Sequence, residues 1–248
     1  MSTFLKNYIY KTKLLINAVP TIWFSVFIVV LFAMNLLANK SINIPHKWLA
    51  LDCGVIISWV LFFIMDIFTK HFGPKAATTL SIAATLISLI MCFVFFIASI
   101  IPGMWGEAYV TGSENIINNA LNKTFGGTWY VIFGSTVAFI FSAAINNFTN
   151  FWVGKIFKNN PNGLFAYISR AYVSTAIGQF ADNFIFAFTV SRIFFGWSLL
   201  QCVMSAVFGM FAEFLCEAVF AVLGYKVCEK WRKENVGKTY FEYIKGKK

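Results

Sequence analysis

Long apolar runs separated by short polar stretches dominate the chain, and six runs are long enough to be membrane-crossing helices. A bilayer needs about 20 apolar residues per helix, and longer runs can tilt to fit. Backbone polar groups cannot stay unpaired in lipid, so we predict one all-α bundle of six transmembrane helices, a single domain over residues 1–248. The predicted spans cover about 17–38, 50–69, 76–101, 128–155, 164–190 and 198–228.

Composition supports a polytopic membrane protein and excludes a soluble domain. Of the 248 residues, 59% are hydrophobic and only 12% are charged, against about 25% charged in ordinary soluble domains. A soluble fold of this length has no interior large enough to hide that much apolar surface.

The placement of Lys and Arg predicts the orientation. With a cytoplasmic N-terminus, sixteen of the 20 basic residues fall on the inner side. The remaining four lie outside and are Lys40, Lys47, Lys123 and Arg192. We therefore expect both termini in the cytoplasm, with a basic tail over 229–248 and the cell membrane as the location. Topology and anionic lipid account for the net charge of +10, and nucleic acid is not an expected partner.

The outer connection over residues 102–127 is unusually long and nearly uncharged. Within it, "ENIINNAL" has helical spacing of Ile116, Ile117 and Leu121. Two compatible interpretations stay open, an interfacial helix and a lid over an outward-facing pocket.

Small residues recur at four-residue steps inside three spans, which predicts close helix packing. They are Gly134, Ala138 and Ser142 in the fourth span, Ser174 and Gly178 in the fifth, and Ser205 and Gly209 in the sixth.

Polar side chains inside the spans are costly in lipid, so they identify candidate sites. On one face of the fifth span lie Gln179, Asp182 and Asn183, three and four residues apart. By their depth we group them with Glu213 of the sixth span as an outer layer. A carboxylate beside amides suits a flat, polar heterocycle, so this layer is the candidate substrate site.

A second set of polar residues is predicted nearer the inner side. It comprises Asp66 and Lys70 at the end of the second span, Arg170 in the fifth, and Glu217 in the sixth. Two roles stay open for this layer, an ion-pair network that only ties helices together and a gate on the pathway. Glu217 also stays a candidate contact for the substrate.

Several catalytic motifs are missing from the sequence. There is no G-x-x-x-x-G-K-[ST] loop for nucleotide hydrolysis, no H-E-x-x-H motif and no Cys/His metal cluster. We therefore expect no metal, no cofactor and no enzymatic activity, because no nucleophile–base set can be assembled.

Two segments, "DIFTKHFGPKAA" and "SRAYVSTAIGQFADNFIF", resemble the queuosine precursor transporter family, also called the vitamin uptake transporter family. That family is similar in fold to the substrate-binding component of energy-coupling-factor transporters. The fifth-span motif carries the most specific part of the resemblance, through Arg170, Ser174, Gln179, Asp182 and Phe186.

Two positions depart from the family pattern. Lys70 stands where a Glu is usual, four residues after Asp66, and Glu213 stands where a Lys is usual, four residues before Glu217. An ion pair of swapped sign between Lys70 and Glu213 would reconcile the two departures.

The resemblance implies import of 7-deazaguanine bases, namely the cyano and aminomethyl precursors or queuine, for salvage into tRNA. Asp182 is then expected to accept the two adjacent donors of the base, with Gln179 or Asn183 donating to its ring oxygen. Glu213 or Glu217 would meet the cation of an aminated base. The alternative is a substrate-binding component of an ATP-driven importer for another small heterocycle, which requires a separate ATPase module. The oligomeric state stays open.

Overall fold

Helices form nearly all the regular structure in this computed structural model, which describes residues 3–109, 112, 114–156 and 164–246. The first four helices are α1 Thr3–Ala18, α2 Thr21–Leu37, α3 Val55–Phe72 and α4 Pro74–Ile100. The others are α5 Glu114–Ile156, α6 Leu164–Phe186, α7 Arg192–Phe195, α8 Leu199–Lys233 and α9 Lys238–Lys245. Strands β1 Ser41–Ile42 and β2 Leu51–Asp52 pair antiparallel. A 3₁₀-helix covers Gly106–Tyr109, and a π-helix over Ala187–Ser191 joins α6 to α7.

Four helices in the described part of the chain are long and apolar enough to cross a bilayer. The qualifying segments are Val55–Phe72, Pro74–Ile100, Asn115–Asn146 and Leu199–Cys216. A fifth crossing is added if α1 and α2, which are bent by 104° relative to each other, count as one broken span. The all-α, multi-pass character is therefore confirmed, whereas the sixth span and the cytoplasmic termini stay predictions.

Several boundaries differ from the predicted ones. The first apolar run is broken at Pro20, because proline lacks an N–H and restricts the residue before it. At 43 residues, α5 is about 65 Å long and starts within the predicted outer connection, so "ENIINNAL" is helical as expected. The fifth run leaves α-helical geometry after Phe186 and continues as the π-helix.

A tight break separates α3 from α4, at the Gly-Pro pair visible in the sequence. Gly73 adopts a φ of +91°, a left-handed conformation that glycine tolerates at the end of a helix. Pro74 is the first residue of α4, where its missing N–H costs no helical hydrogen bond.

The contacts divide the chain into two compact units. Unit 1 comprises Met1–Ala33, Ile57–Ile90 and Cys216–Lys248, and unit 2 comprises Met34–Ile56 and Met91–Leu215.

An aromatic cluster in unit 1 fixes α9 against the end of α3. Phe72 stacks on Phe241 with ring centroids 5.7 Å apart, and Tyr240 is 2% exposed. His71 Nε2 donates to the Val236 carbonyl at 3.0 Å, and its ring meets Trp231 edge-on at 5.2 Å. Residues 234–246 are therefore a packed part of unit 1.

In unit 2, the connection before α5 is bound to the first turns of that helix. Trp105 donates from its backbone N–H to Asn118 at 3.1 Å and from Nε1 to Asn122 at 2.8 Å. Its ring stacks on Phe125 at 4.9 Å. These contacts hold the connection in place, while its role as a lid stays a prediction.

Close helix approach also shapes unit 2, where α5 and α6 form the most extensive helix pair. A Cβ added to Gly134 would lie 2.2 Å from Val190 Cγ2, so only glycine fits beside the π-helix. The Tyr130 hydroxyl donates to the Thr189 carbonyl at 2.8 Å, which satisfies a backbone acceptor within the π-helix.

Candidate functional site

Helix α6 supplies the centre of the candidate site in unit 2. Gln179, Asp182 and Asn183 stand on it at spacings of three and four residues, which one helical face accommodates. Gln179 is only 7% exposed, and the other two are half-buried. Side chains of this polarity are buried where they find hydrogen bonds or serve a function.

Ser142 on α5 positions the carboxylate of Asp182. The Ser142 hydroxyl lies 2.9 Å from Asp182 Oδ1 and donates to it, and it also lies 3.0 Å from the Phe139 carbonyl. In the described part of the chain, Asp182 Oδ2 accepts no hydrogen bond from protein. One oxygen is thus held by the helix neighbour, and the second is available to a donor.

Asn183 connects α6 to α8. Its Nδ2 donates to Glu213 Oε2 at 3.1 Å and to the Gln179 carbonyl at 3.0 Å, so both amide protons are used. Glu213 is 4% exposed. The approach depends on Gly209, where an added Cβ would lie 2.9 Å from Asn183 Cγ.

A buried acceptor lies about one helical turn before the carboxylate of Asp182. Gln179 Oε1 is buried and has no hydrogen-bond partner among the described residues. An unsatisfied buried amide oxygen costs about 1–3 kcal/mol, so a ligand donor that reaches it has a large effect. Together with Asp182 Oδ2, it gives this face of α6 two acceptors without protein donors.

The predicted inner layer is only partly described. Lys70 pairs with Asp66 one turn earlier on α3, and their side chains are 49% and 27% exposed. Arg170 lies on α6 and Glu217 on α8, but both side chains fall outside the described residues. The gating role of this layer and the pair between Lys70 and Glu213 stay predictions.

The spacing of small residues predicts a packing role for Ser142 but not its hydrogen bond to Asp182. Its position within a stripe of small residues is typical of close packing. It does pack closely, because a Cβ added to Gly178 on α6 would lie 3.6 Å from the Ser142 carbonyl and 3.0 Å from Asn146 Cβ. The missed signal is the hydroxyl itself, since a Ser in an apolar span needs a partner.

Residues 52–227 match the protein family described as "Putative vitamin uptake transporter". The matched segment covers more than two thirds of the chain. It includes the polar cluster, which we define as Ser142, Gln179, Asp182, Asn183 and Glu213. The chain belongs to this family. A search of curated proteins and a search of solved structures return no match.

A cavity of about 680 Å³ lies in unit 2 of this vitamin uptake transporter. Residues from the ends of α2 and α4, the first turns of α5, and the π-helix with α7 line it. On the α6 side its wall includes Val190, which is seven residues, or about 10 Å along the helix, beyond Asn183. The cavity lining does not include the polar cluster.

The polar cluster offers side-chain acceptors without donors among the described residues. Acceptors without protein donors suit a ligand that brings its own N–H groups. No group of three His, Cys, Asp or Glu side chains able to hold a metal occurs within the described ranges. The arrangement supports binding of a small ligand and provides no nucleophile paired with a base.

Proposed function

We propose that this vitamin uptake transporter imports 7-deazaguanine bases, the queuosine precursors, across the cell membrane. The observation that carries the proposal is that two acceptors on one face of α6 lack donors among the described residues. They are Asp182 Oδ2 and the buried Gln179 Oε1. The membership of the chain in a transporter family supports uptake as the activity.

The edge of a 7-deazaguanine base matches such acceptors. It presents a ring N–H beside an exocyclic amine, and one carboxylate can accept from both. Ser142 holds Oδ1 of Asp182 and fixes the direction of the carboxylate before the base arrives. The Gln179 amide then lies one helical turn away and meets a further group of the base.

Glu213 is proposed to favour the aminated bases over the neutral cyano precursor. It sits 4% exposed on α8 and accepts from Asn183, which itself neighbours Asp182. A second acid close to the site lowers the free energy of a cationic ligand. Glu213→Gln keeps an acceptor for Asn183 and removes the charge, so it should weaken binding of aminomethyl base and queuine while leaving the cyano base nearly unchanged. Equal effects on all three bases would contradict this role.

The deciding experiment is direct binding of the three bases to purified protein. Asp182→Asn should reduce affinity by about tenfold or more, because a charge-assisted bidentate contact is worth about 1.5–3 kcal/mol. The matched control is Asp66→Asn, which removes a carboxylate that is paired with Lys70 on an exposed part of α3. Equal affinities of wild type and Asp182→Asn would refute the site.

The second candidate is a substrate-binding component that needs a separate ATPase. The chain itself has no nucleotide-binding loop, which is compatible with both functions. Uptake of base into liposomes that contain only the purified chain distinguishes them. Uptake without ATPase favours an independent transporter, and binding without uptake favours the ATP-driven component.

A further inference from the structure

The N-terminal helix α1 has a geometry that the apolar pattern did not predict. It meets α2 at an angle of 104°, so the two helices are nearly perpendicular. With 17 residues, α2 is about 26 Å long and can cross most of the hydrocarbon core alone. If α2 runs close to the membrane normal, α1 lies close to the membrane plane.

Contacts within unit 1 place α1 at the end where α3 terminates. Tyr10 meets Tyr243 of α9 edge-on, with ring centroids 5.3 Å apart. Helix α9 in turn packs on Phe72, the last residue of α3. Because α3 is one of the apolar crossing helices, its end marks a membrane boundary, and α1 lies beside that boundary.

The packed residues of α1 and an exposed apolar stripe lie on neighbouring faces of the helix. Leu15 is 1% exposed and Val19 is 3% exposed, and both belong to the core of unit 1. On the neighbouring face, Ile9 is 49% exposed, and the half-buried Ile16 follows it two turns later. A groove of about 320 Å³ runs along this face, lined by Tyr8, Ile9, Thr12, Lys13, Ile16 and Asn17.

Two exposed lysines flank that apolar stripe. Lys6 and Lys13 are also seven residues apart, so they share a line beside Ile9 and Ile16. Long lysine side chains cover apolar surface with their stems and extend their ammonium groups to polar surroundings. The exposed tyrosines Tyr8 and Tyr10 have the amphipathic rings typical of membrane interfaces.

Other parts of the same unit are basic as well. The end of α8 and α9 expose Lys230, Arg232, Lys233, Lys238 and Lys245, of which Lys230 pairs with Glu234. An anionic lipid surface attracts each nearby Lys or Arg by about 1 kcal/mol. The charge and the apolar stripe are therefore complementary to a phospholipid with a negative headgroup, which offers both phosphate and acyl chain.

We propose that α1 lies in the membrane surface and binds anionic phospholipid, with Ile9 and Ile16 at the headgroup–acyl boundary and Lys6 and Lys13 on the lipid phosphates. The residues of this surface belong to unit 1 and those of the proposed substrate site to unit 2, so the proposal does not depend on the identity of the transported molecule.

Spin-label depth measurements on the full-length protein in nanodiscs test the position of α1. Single cysteines replace Lys6, Ile9, Lys13 and Ile16 in turn, in a background without the five native cysteines. Labels at 9 and 16 should lie about 5–10 Å into the boundary region and meet dissolved oxygen. Labels at 6 and 13 should be accessible to a water-soluble relaxant. A steady increase of depth from 6 to 16, or access of water at all four positions, would overturn the proposal.

A second measurement tests the lipid and keeps the native cysteines. Phosphatidylglycerol is titrated into protein in neutral detergent, and the rise in melting temperature gives its apparent affinity. Lys6→Gln/Lys13→Gln should lower that affinity by about thirtyfold, or about fivefold for each lysine. The matched control, Lys40→Gln/Lys47→Gln, removes the same charge from two exposed lysines of unit 2 and should keep the affinity. Equal losses in both variants would mean that only net charge matters and would refute a site on α1.

Discussion

Gly209 on α8 provides the most direct test of how the polar cluster is held. A Cβ at this position would lie 2.9 Å from Asn183 Cγ and 3.0 Å from both Nδ2 and Oδ1. All three atoms belong to the amide that donates to Glu213 at 3.1 Å. In Gly209→Ala the amide must move by about 0.5 Å to reach ordinary contact distance, which lengthens the bond to Glu213 past hydrogen-bonding range.

The expected cost combines three effects. Overpacking costs about 1–3 kcal/mol, and a lost interhelical hydrogen bond in a membrane protein adds about 0.6 kcal/mol. Replacing a helical glycine by alanine returns about 1 kcal/mol. We therefore expect Gly209→Ala to lower the free energy of unfolding by about 0.6–2.6 kcal/mol. Substrate affinity should fall with it, because Asn183 no longer stays beside Asp182.

Unfolding in detergent, followed by circular dichroism, measures the effect. The matched control is Gly127→Ala on α5, where an added Cβ meets nothing within 4 Å, so that variant should be stabilised. In an Asn183→Ala background, the penalty of Gly209→Ala should largely disappear, because the clashing amide is gone. The reasoning is refuted if Gly209→Ala behaves like Gly127→Ala, or if its penalty is the same with and without Asn183.

Three further predictions concern positions outside the cluster. Gly237→Ala should lower the melting temperature, because Gly237 has a φ of +84° and an added Cβ would lie 2.6 Å from Phe72 Cε1. The control is Gly103→Ala, which should not lower it, because Gly103 has no positive φ and an added Cβ meets nothing within 4 Å. Burial raises the pKa of Asp52 to about 6, although the Gly54 N–H lowers it. The folded protein therefore holds the Asp52 proton more tightly than the unfolded chain. The free energy of unfolding should fall by up to about 3 kcal/mol as pH rises from about 4 to 6. Melting curves of Asp52→Asn should lack this dependence on pH. Lys70→Gln should change stability by less than about 1 kcal/mol, because the pair with Asp66 is exposed.

Local chemistry made part of the fold predictable. The Gly73–Pro74 pair ends one helix and begins the next by the conformational limits of these two residues alone. The spacing of Gln179, Asp182 and Asn183 likewise places them on one face of a helix without knowledge of its neighbours. Such features depend on a few consecutive residues, so the sequence determines them directly.

Other features depend on contacts between distant segments. Gly126 and Gly127 favour a loop by composition, yet both lie inside α5, and Gly126 is needed there because an added Cβ would lie 2.6 Å from Ser99 Oγ on α4. Pro20 is a potential helix breaker, but the apolar residues on both sides of it predict one continuous span. Nothing local indicates the direction of α1 before the break at Pro20, because buried residues such as Leu15 set that direction through packing.

The partner of Glu213 shows why a site cannot be assembled from depth estimates alone. Distance along a helix gives the height of a side chain, but rotation about the axis decides which neighbour it meets. For α8 that rotation is fixed where the Asn183 amide packs against Gly209. One turn later, Glu213 accepts a hydrogen bond from the same amide. A glycine and an acid four residues apart therefore act on one Asn side chain. In the same way, the Ser142 hydroxyl on α5 acts on Asp182. The polar face of α6 is thus oriented from both sides by α5 and α8, and Gln179 Oε1 and Asp182 Oδ2 are its acceptors without a donor among the described residues.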